Sequence, residues 1–316
     1  MTDGCGREIE YLRLSVTDKC NLRCKYCMPE EGIRHLLHTD VLSFEEIQRL
    51  VGIMKGLGIG KMRLTGGEPL VRKGVVSLVD MLPCDVYMTT NGCMLSEYAR
   101  ALKEAGLRGV NVSLDTLDAA RFKDLTGRDE LGRVLEGIDA AADAGIPVKL
   151  NCVPIRGVND GEIEELCDFA RRSSFDIRFI ELMPIGCASA HTGIPSDEII
   201  ERLGLTPSES PSDGQLSSGP AKYYRQEGSG TRIGFISPMS QKFCDTCNRI
   251  RLTADGFLKT CLQYSNGTDL RLLLRSGADN DTIRRAIESA VGYKPPAHSF
   301  GNDSGSDTRR MVQIGG

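Results

Sequence analysis

No apolar run in the chain approaches the roughly 20 residues that a membrane-spanning helix needs, which argues against an integral helical membrane protein. Nor does any apolar stretch resembling a signal peptide stand near the start, so the disulfide framework of a secreted protein lacks its usual companion. Neither sign of charge dominates. Thirty-nine Lys and Arg against 43 Asp and Glu leave a formal net charge of −4, and the signs are interspersed, so there is no broad electrostatic footprint for polymeric nucleic acid. Any phosphate site must be local. Histidine is scarce, and His35, His38, His191 and His298 form no ligand set. These absences predict a soluble, cytoplasmic protein without membrane partners.

Cysteine, by contrast, is plentiful, with 12 in 316 residues. A chain of this length can bury a substantial core without staples. In a reducing cytosol, clustered thiols suggest metal rather than disulfides.

Short β-rich runs recur at 10–16, 60–66, 85–91, 108–115, 146–153 and 175–182. Helical patterns lie between most of them. One has Ser43 as N-cap with Glu46 in the capping-box position and apolar Ile47, Leu50, Val51 and Met54 on one face. Others run from Ser96 to Gly106, up to Gly145, and on from Asp160. This alternation predicts parallel βαβ units. Six are too few for a closed eight-strand barrel, so the fold class is α/β, an incomplete (βα)6 TIM-like barrel. After about residue 185 the pattern changes, predicting a barrel over 1–185 and a C-terminal extension over 186–316. Within the latter, 206–220 reads as a surface loop. Runs around 222–226, 232–236 and 249–261 read as short strands, the last a hairpin turning at Asp255 and Gly256. Helices are expected near 268–276 and 279–291, and the segment 295–308 reads as mobile.

Chemistry in parallel α/β barrels gathers at the C-terminal ends of strands. The first strand is followed by CNLRCKYC, and later ones by TGGEPL, TTNG, SLD and ELM. Cys20, Cys24 and Cys27 are one ligand short of a closed zinc site. Soft sulfur suits iron and sulfide, and three thiolates on one short loop can hold three corners of a four-iron cubane, leaving the fourth iron open. The alternatives are a zinc site completed by His35 or His38, and thiols buried as small hydrophobes. The sequence FCDTCNRIRLTADGFLKTCL adds a second trio, Cys244, Cys247 and Cys261. Here strand alternation makes Arg249 and Arg251 project together while Ile250 and Leu252 face the core. Two guanidiniums beside an open cluster suit an anion, whereas a zinc ribbon with solvated arginines is the plainer reading. Arg13, Arg63 and Lys149 sit in otherwise apolar strands, where a cation must be paired or face a wet cavity. Cys5, Cys84, Cys93, Cys152, Cys167 and Cys187 lack ligand spacing.

CNLRCKYC resembles the cluster-binding signature of the radical S-adenosylmethionine (SAM) enzymes, and GGEPL resembles their SAM-binding glycine motif. The run LRLSVTDKCNLRCKYCMP, RLTGGEPLVR, TTNG, NVSLD, RFIELM and AKYYR, with the second cysteine motif and a terminal IGG, is similar to the GTP 3',8-cyclase family of molybdenum cofactor biosynthesis. That resemblance implies a lyase with two [4Fe-4S] clusters and SAM as cofactors. One cluster would be held by Cys20, Cys24 and Cys27 and the other by Cys244, Cys247 and Cys261. It implies SAM contacts at Tyr26, Gly67, Ser113 and Met183. GTP contacts are implied at Arg13, Arg63, Thr89, Lys149, Arg249 and Arg251. Gly315 and Gly316 match terminal glycines that reach the barrel mouth and, with Arg13, assist catalysis. A reductase or a reduced flavodoxin- or ferredoxin-type electron donor is implied, and a homodimer is compatible. A radical SAM enzyme of another kind, such as a peptide-modifying one with an auxiliary cluster, should lack the Arg249 and Arg251 pair and the terminal glycines.

Overall fold

The computed structural model describes residues 1–208, 219–225, 231–300 and 306–315. The six expected strands form as β1 (Tyr11–Ser15), β2 (Lys61–Thr65), β3 (Asp85–Thr90), β4 (Gly109–Ser113), β5 (Val148–Cys152) and β6 (Asp176–Ile180). Between them lie α1 (Phe44–Gly56), α2 (Val75–Met81), α3 (Leu95–Glu104), α4 (Ala119–Thr126), α5 (Leu131–Asp143) and α6 (Ile163–Arg172). Ser43 and Glu46 make the reciprocal capping box at the start of α1. Two helix starts differ from expectation. α3 begins one residue before Ser96, which caps nothing, and Asp160 falls in a 3-10 turn leading into α6.

The C-terminal part contributes α7 (Ser196–Arg202), β7 (Thr206–Pro207), β8 (Lys222–Arg225), β9 (Ile233–Ile236), β10 (Arg249–Leu252), β11 (Phe257–Lys259), β12 (Thr268–Asp269), α8 (Leu270–Arg275), α9 (Asn280–Gly292) and α10 (Met311–Ile314). The expected 206–220 loop lies mostly outside the described residues, but its first two residues pair with β8 as a strand. Of the segment read as mobile, 301–305 lies outside the described residues, while the parts on either side hydrogen-bond to Gln263 through Ser299 and Asp307.

Among the described residues all strands join one 12-stranded sheet in the order β12-β11-β10-β1-β2-β3-β4-β5-β6-β9-β8-β7. β10 runs parallel to β1 and β9 parallel to β6, so the C-terminal part lengthens the barrel wall at both edges. The wall stays open, its two edge strands β12 and β7 being unpaired with each other.

Alternation along each strand divides the molecule. Leu12, Leu14, Met62, Leu64, Ile250 and Leu252 are fully buried and join the core under the helices. Their neighbours Tyr11, Arg13, Arg63, Arg249 and Arg251 face inward. Helix packing on the outside is close: a Cβ on Gly137 of α5 would lie 2.4 Å from the Gly92 carbonyl oxygen and 3.0 Å from Leu95 Cβ at the start of α3. Gly132, on the same helix, faces open space. Among the described residues no helix is long and apolar enough to cross a membrane.

Gly137→Ala should therefore destabilise the fold by about 1 to 3 kcal/mol through overpacking, whereas Gly132→Ala should stabilise it by about 0.5 to 1 kcal/mol. Urea denaturation midpoints that move in opposite directions are the expected result.

Candidate functional site

The inward faces of the strands enclose a cavity of about 380 Å³, and both cysteine trios line it. The register places them at opposite ends. Cys20, Cys24 and Cys27 follow the C-terminal end of β1. Arg249, two residues after Cys247, pairs with Tyr11 at the beginning of β1, and antiparallel β11 returns the chain to that same end at Cys261. At about 3.3 Å per residue, the strand between these levels spans on the order of 13 Å, room for a ligand between the trios.

The first trio rides on a loop pinned from several sides. The Cys27 and Met28 amides donate to the Cys24 carbonyl at 2.9 and 3.0 Å, and the Arg23 amide donates to the Thr126 carbonyl at 2.8 Å. The Tyr26 hydroxyl donates to Asp115 Oδ2 at 2.6 Å, tying the loop to the end of β4. Asn91, after β3, points its amide at Cys20 Sγ, 3.8 Å away. Burial and mutual repulsion push the Cys27 thiol up to about 12, and Cys24 well above its ordinary value. Three thiolates in such a place need positive charge among them. In the second trio burial is opposed by the Arg249 guanidinium and the Lys294 ammonium, which bring Cys247 down to about 7.

Three soft thiolates in each set, with no fourth protein ligand in the motif, are donors that suit iron–sulfur clusters. His35 lies 3.4 Å from Asp18 and completes neither trio. Of the unclustered cysteines, Cys93, Cys152 and Cys167 are buried as expected of small hydrophobes, while Cys5 is exposed.

Between the trios runs a row of arginines. Arg251, Arg13 and Arg63 are direct register partners across β10, β1 and β2. Burial, then the Arg251 and Arg63 charges, hold Arg13 well below the ordinary guanidinium value, and burial with the Arg249 charge brings Arg251 to about 10. Arg63 is fixed by donating to the Tyr11 hydroxyl at 2.6 Å and the Met88 carbonyl at 2.9 Å. Arg249 lies over the Phe243 ring at 4.9 Å. Arg178 on β6 also lines the cavity, donating to Asn151 Oδ1 from Nε and Nη2 at 3.0 and 2.8 Å. Adjacent buried cations of one sign are what a polyanion would neutralise.

Most expected contact positions face this cavity: Tyr26, Gly67, Ser113, Met183 and Thr89 all line it. The buried hydroxyls of Thr89 and Thr65 have no protein hydrogen-bond partner, leaving both for a ligand. Gly67 must be glycine, because a Cβ would stand 2.3 Å from the Lys19 carbonyl oxygen; its amide is already donated to Thr17. Lys149 stands apart. It is buried and pairs with Asp176 at 3.3 Å, over the Tyr223 ring, instead of lining the cavity. The tail enters the barrel, with Met311 and Val312 lining the cavity and the Gly315 carbonyl accepting from Arg251 at 2.7 Å. Gly316 lies outside the described residues.

Sequence reasoning missed Arg178 and Lys294 and pointed to Asn91, Asp115 and Glu181 only within the strand-end motifs TTNG, SLD and ELM; all five line the cavity. Arg178 carried a usable signal, an arginine inside the apolar run FDIRFIEL like those at Arg13 and Arg63. Lys294, in YKPP, carried none.

A partial barrel with a three-thiol loop after its first strand is the architecture of a radical SAM enzyme. Residues 14–170 match the family model described as "Radical SAM superfamily", and residues 175–300 match "Molybdenum Cofactor Synthesis C". The chain is 46% identical over 330 residues to the GTP 3',8-cyclase of Pelotomaculum thermopropionicum, and 45% identical over 325 residues to that of Thermodesulfovibrio yellowstonii; each alignment covers 100% of both chains. Among solved structures, Streptococcus suis SuiB bound to S-adenosylmethionine superposes with a TM-score of 0.62 at 15% identity, over 89% of this chain and 68% of that one, a likeness of fold. The chain belongs to the GTP 3',8-cyclase family of radical SAM enzymes. SAM and two [4Fe-4S] clusters are the cofactors that go with this family.

Gly315 has φ +86°, and a Cβ there would stand 2.9 Å from both Ser15 Cβ and Thr65 Oγ1. Gly315→Ala is expected to loosen the tail at a cost of about 1 to 2 kcal/mol in backbone strain, read as faster amide exchange over Met311–Ile314 with exchange in β1 to β6 unchanged.

Proposed function

We propose that the protein cyclises GTP to (8S)-3',8-cyclo-7,8-dihydroguanosine 5'-triphosphate, the opening step of molybdenum cofactor biosynthesis, in the cavity between the two cysteine trios. The observation that carries the substrate reading is the in-register row Arg251, Arg13 and Arg63. Cys20, Cys24 and Cys27 would hold the cluster that receives SAM, and Cys244, Cys247 and Cys261 the cluster that faces the guanine. When bound, the SAM-loaded cluster would supply a 5'-deoxyadenosyl radical able to take the hydrogen from ribose C3'; that carbon would bond to guanine C8, and a further electron from the donor with a proton would complete the 7,8-dihydro product.

The chain's own residues do the positioning. Tyr26, Gly67, Ser113 and Met183 hold SAM at the C-terminal strand ends. Arg13, Arg63 and Thr89 receive the triphosphate. Arg178 joins them on the strength of its place in the cavity, and Lys149 supports the same face through Asp176 and Tyr223. Arg251, in the same row as Arg13 and Arg63, and Arg249, two residues nearer the second trio, complete the nucleotide site. Gly315, at the end of the tail seated in the barrel, comes near the substrate where a residue without a side chain can, and the family resemblance assigns Gly316 the same assisting role. A radical must meet one hydrogen and no other, so both ends of the nucleotide are fixed and water is kept out. The barrel over 1–185 and the extension over 186–316 thus each bring one cysteine trio to a shared site. The enzyme works in the cytoplasm with a reductase or a reduced flavodoxin- or ferredoxin-type donor, and a homodimer is compatible with this reading.

Anaerobic reconstitution tests it. The expected result is on the order of eight irons per chain and 5'-deoxyadenosine release that rises with GTP. Stoichiometric zinc without SAM cleavage would sink the enzyme reading, and cleavage indifferent to GTP would sink the substrate alone. Arg13→Met should weaken GTP binding roughly 10- to 150-fold, as expected for a charged hydrogen bond of about 1.5 to 3 kcal/mol.

A further inference from the structure

Three residues outside both cysteine motifs, near the two ends of the chain, meet behind the second trio. Asp3 and Arg7 form a buried ion pair, Nε to Oδ2 at 2.6 Å, with side chains 0% and 7% exposed. Asp3 Oδ1 also accepts the amides of Cys5 and Arg7, each at 2.9 Å. This fixes the guanidinium so that Nη1 donates to the carbonyls of Cys244 at 2.8 Å and Pro296 at 2.9 Å, and Nη2 to that of Pro295 at 2.8 Å. Pro295 and Pro296 follow Lys294, itself buried. Lys294 Nζ donates to the Arg249 carbonyl at 2.9 Å and to the Thr260 carbonyl. Arg249 is two residues beyond Cys247, and Thr260 immediately precedes Cys261.

We propose that Arg7 and Lys294 are the positioning residues of the second trio, two buried cations that grip the backbone beside each of its three thiols, so that the spacing of the site is set from outside the cysteine motif. The inference rests on the second trio holding a cluster, as in the functional reading above. Its geometry is specific: Arg7 holds Cys244 and locks the segment that carries Lys294, and Lys294 holds the other two chain segments. The two cations differ in one respect. Arg7 is neutralised by Asp3, whereas among the described residues Lys294 is recorded with carbonyl and thiol partners and with no carboxylate. Arg7 therefore acts through geometry alone. Lys294 adds a positive charge beside the thiols with no carboxylate partner among the described residues, which favours the more negative, reduced form of a cluster held there.

The test uses the full chain, anaerobically reconstituted with iron and sulfide. In Arg7→Met, iron per chain is expected to fall by roughly half, toward the content of one cubane, with SAM cleavage at the first site retained and GTP affinity reduced. In Lys294→Met, whatever second cluster remains should show a more negative reduction potential by EPR-monitored titration, and Lys294→Arg should restore it. Should Arg7→Met not fold, Arg7→Lys carries the same expectation for iron, since an ammonium keeps the charge but cannot span the three carbonyls. Full iron content with an unchanged potential in these variants would overturn the proposal, as would equal loss from both sites. Wild-type protein with only one cubane would instead mark the failure of the functional reading.

Discussion

Three arginines at one level on three neighbouring strands are the constraint around which this molecule is arranged. Side by side on β10, β1 and β2 and facing inward, Arg251, Arg13 and Arg63 cannot pack as a core. The barrel interior at that level is a cavity lined by positive charge, which suits an anion. The apolar half of each strand compensates on the other face, where Leu12, Leu14, Met62, Leu64, Ile250 and Leu252 are sealed under helices. Period-two alternation thus assigns stability to one face of the wall and binding to the other. Placing β10 against β1, instead of in a separate unit, is what completes the row, so the C-terminal strands belong to the site as much as to the fold.

The same register explains why two cysteine trios 217 residues apart in sequence, from Cys27 to Cys244, can serve one ligand. The first trio follows β1, while Cys244 and Cys247 precede β10 and antiparallel β11 brings Cys261 back to the same end; because β10 and β1 run parallel, the trios fall at opposite ends of one cavity. A nucleotide stretched between them would meet the guanidinium row along the way. Had β10 paired antiparallel to β1, both trios would have gathered at one mouth.

Much of this was legible in the sequence because it depends on local patterns. Six strands showed in short β-rich runs, the capping box at Ser43 and Glu46 is a short-range signal, and the thiol trios announce themselves by spacing. Strand alternation also foretold that Arg249 and Arg251 would share a face. What stayed hidden depends on contacts between distant segments. Nothing near Lys149 in the sequence says that Asp176 and Tyr223 engage it. The helix Met311–Ile314 is too short to show periodicity and is held by its place in the barrel. Ser96 looked like a cap, yet Leu95 already lies in the helix and is fully buried, so packing overrode the local preference. Arg178 shows that a rule can be right and incompletely applied, since it meets the same criterion as Arg13 and Arg63.

The tail joins these points. Arg251 belongs to the arginine row, yet it also donates to the Gly315 carbonyl, so one guanidinium faces both the expected anion and the chain terminus. A ligand drawing on Arg251 therefore competes with, or is completed by, the tail's seat. Asp307, Arg309 and buried Lys259 clasp the start of the tail against β11, close in sequence to Cys261. The clasp fixes where the tail begins, while the contact at Arg251 concerns where it ends. The two contacts are separate, one at Asp307 and one at Gly315. The second requires a terminus with no side chain at Gly315, whose left-handed backbone and 2.9 Å approaches to Ser15 and Thr65 leave room for nothing larger.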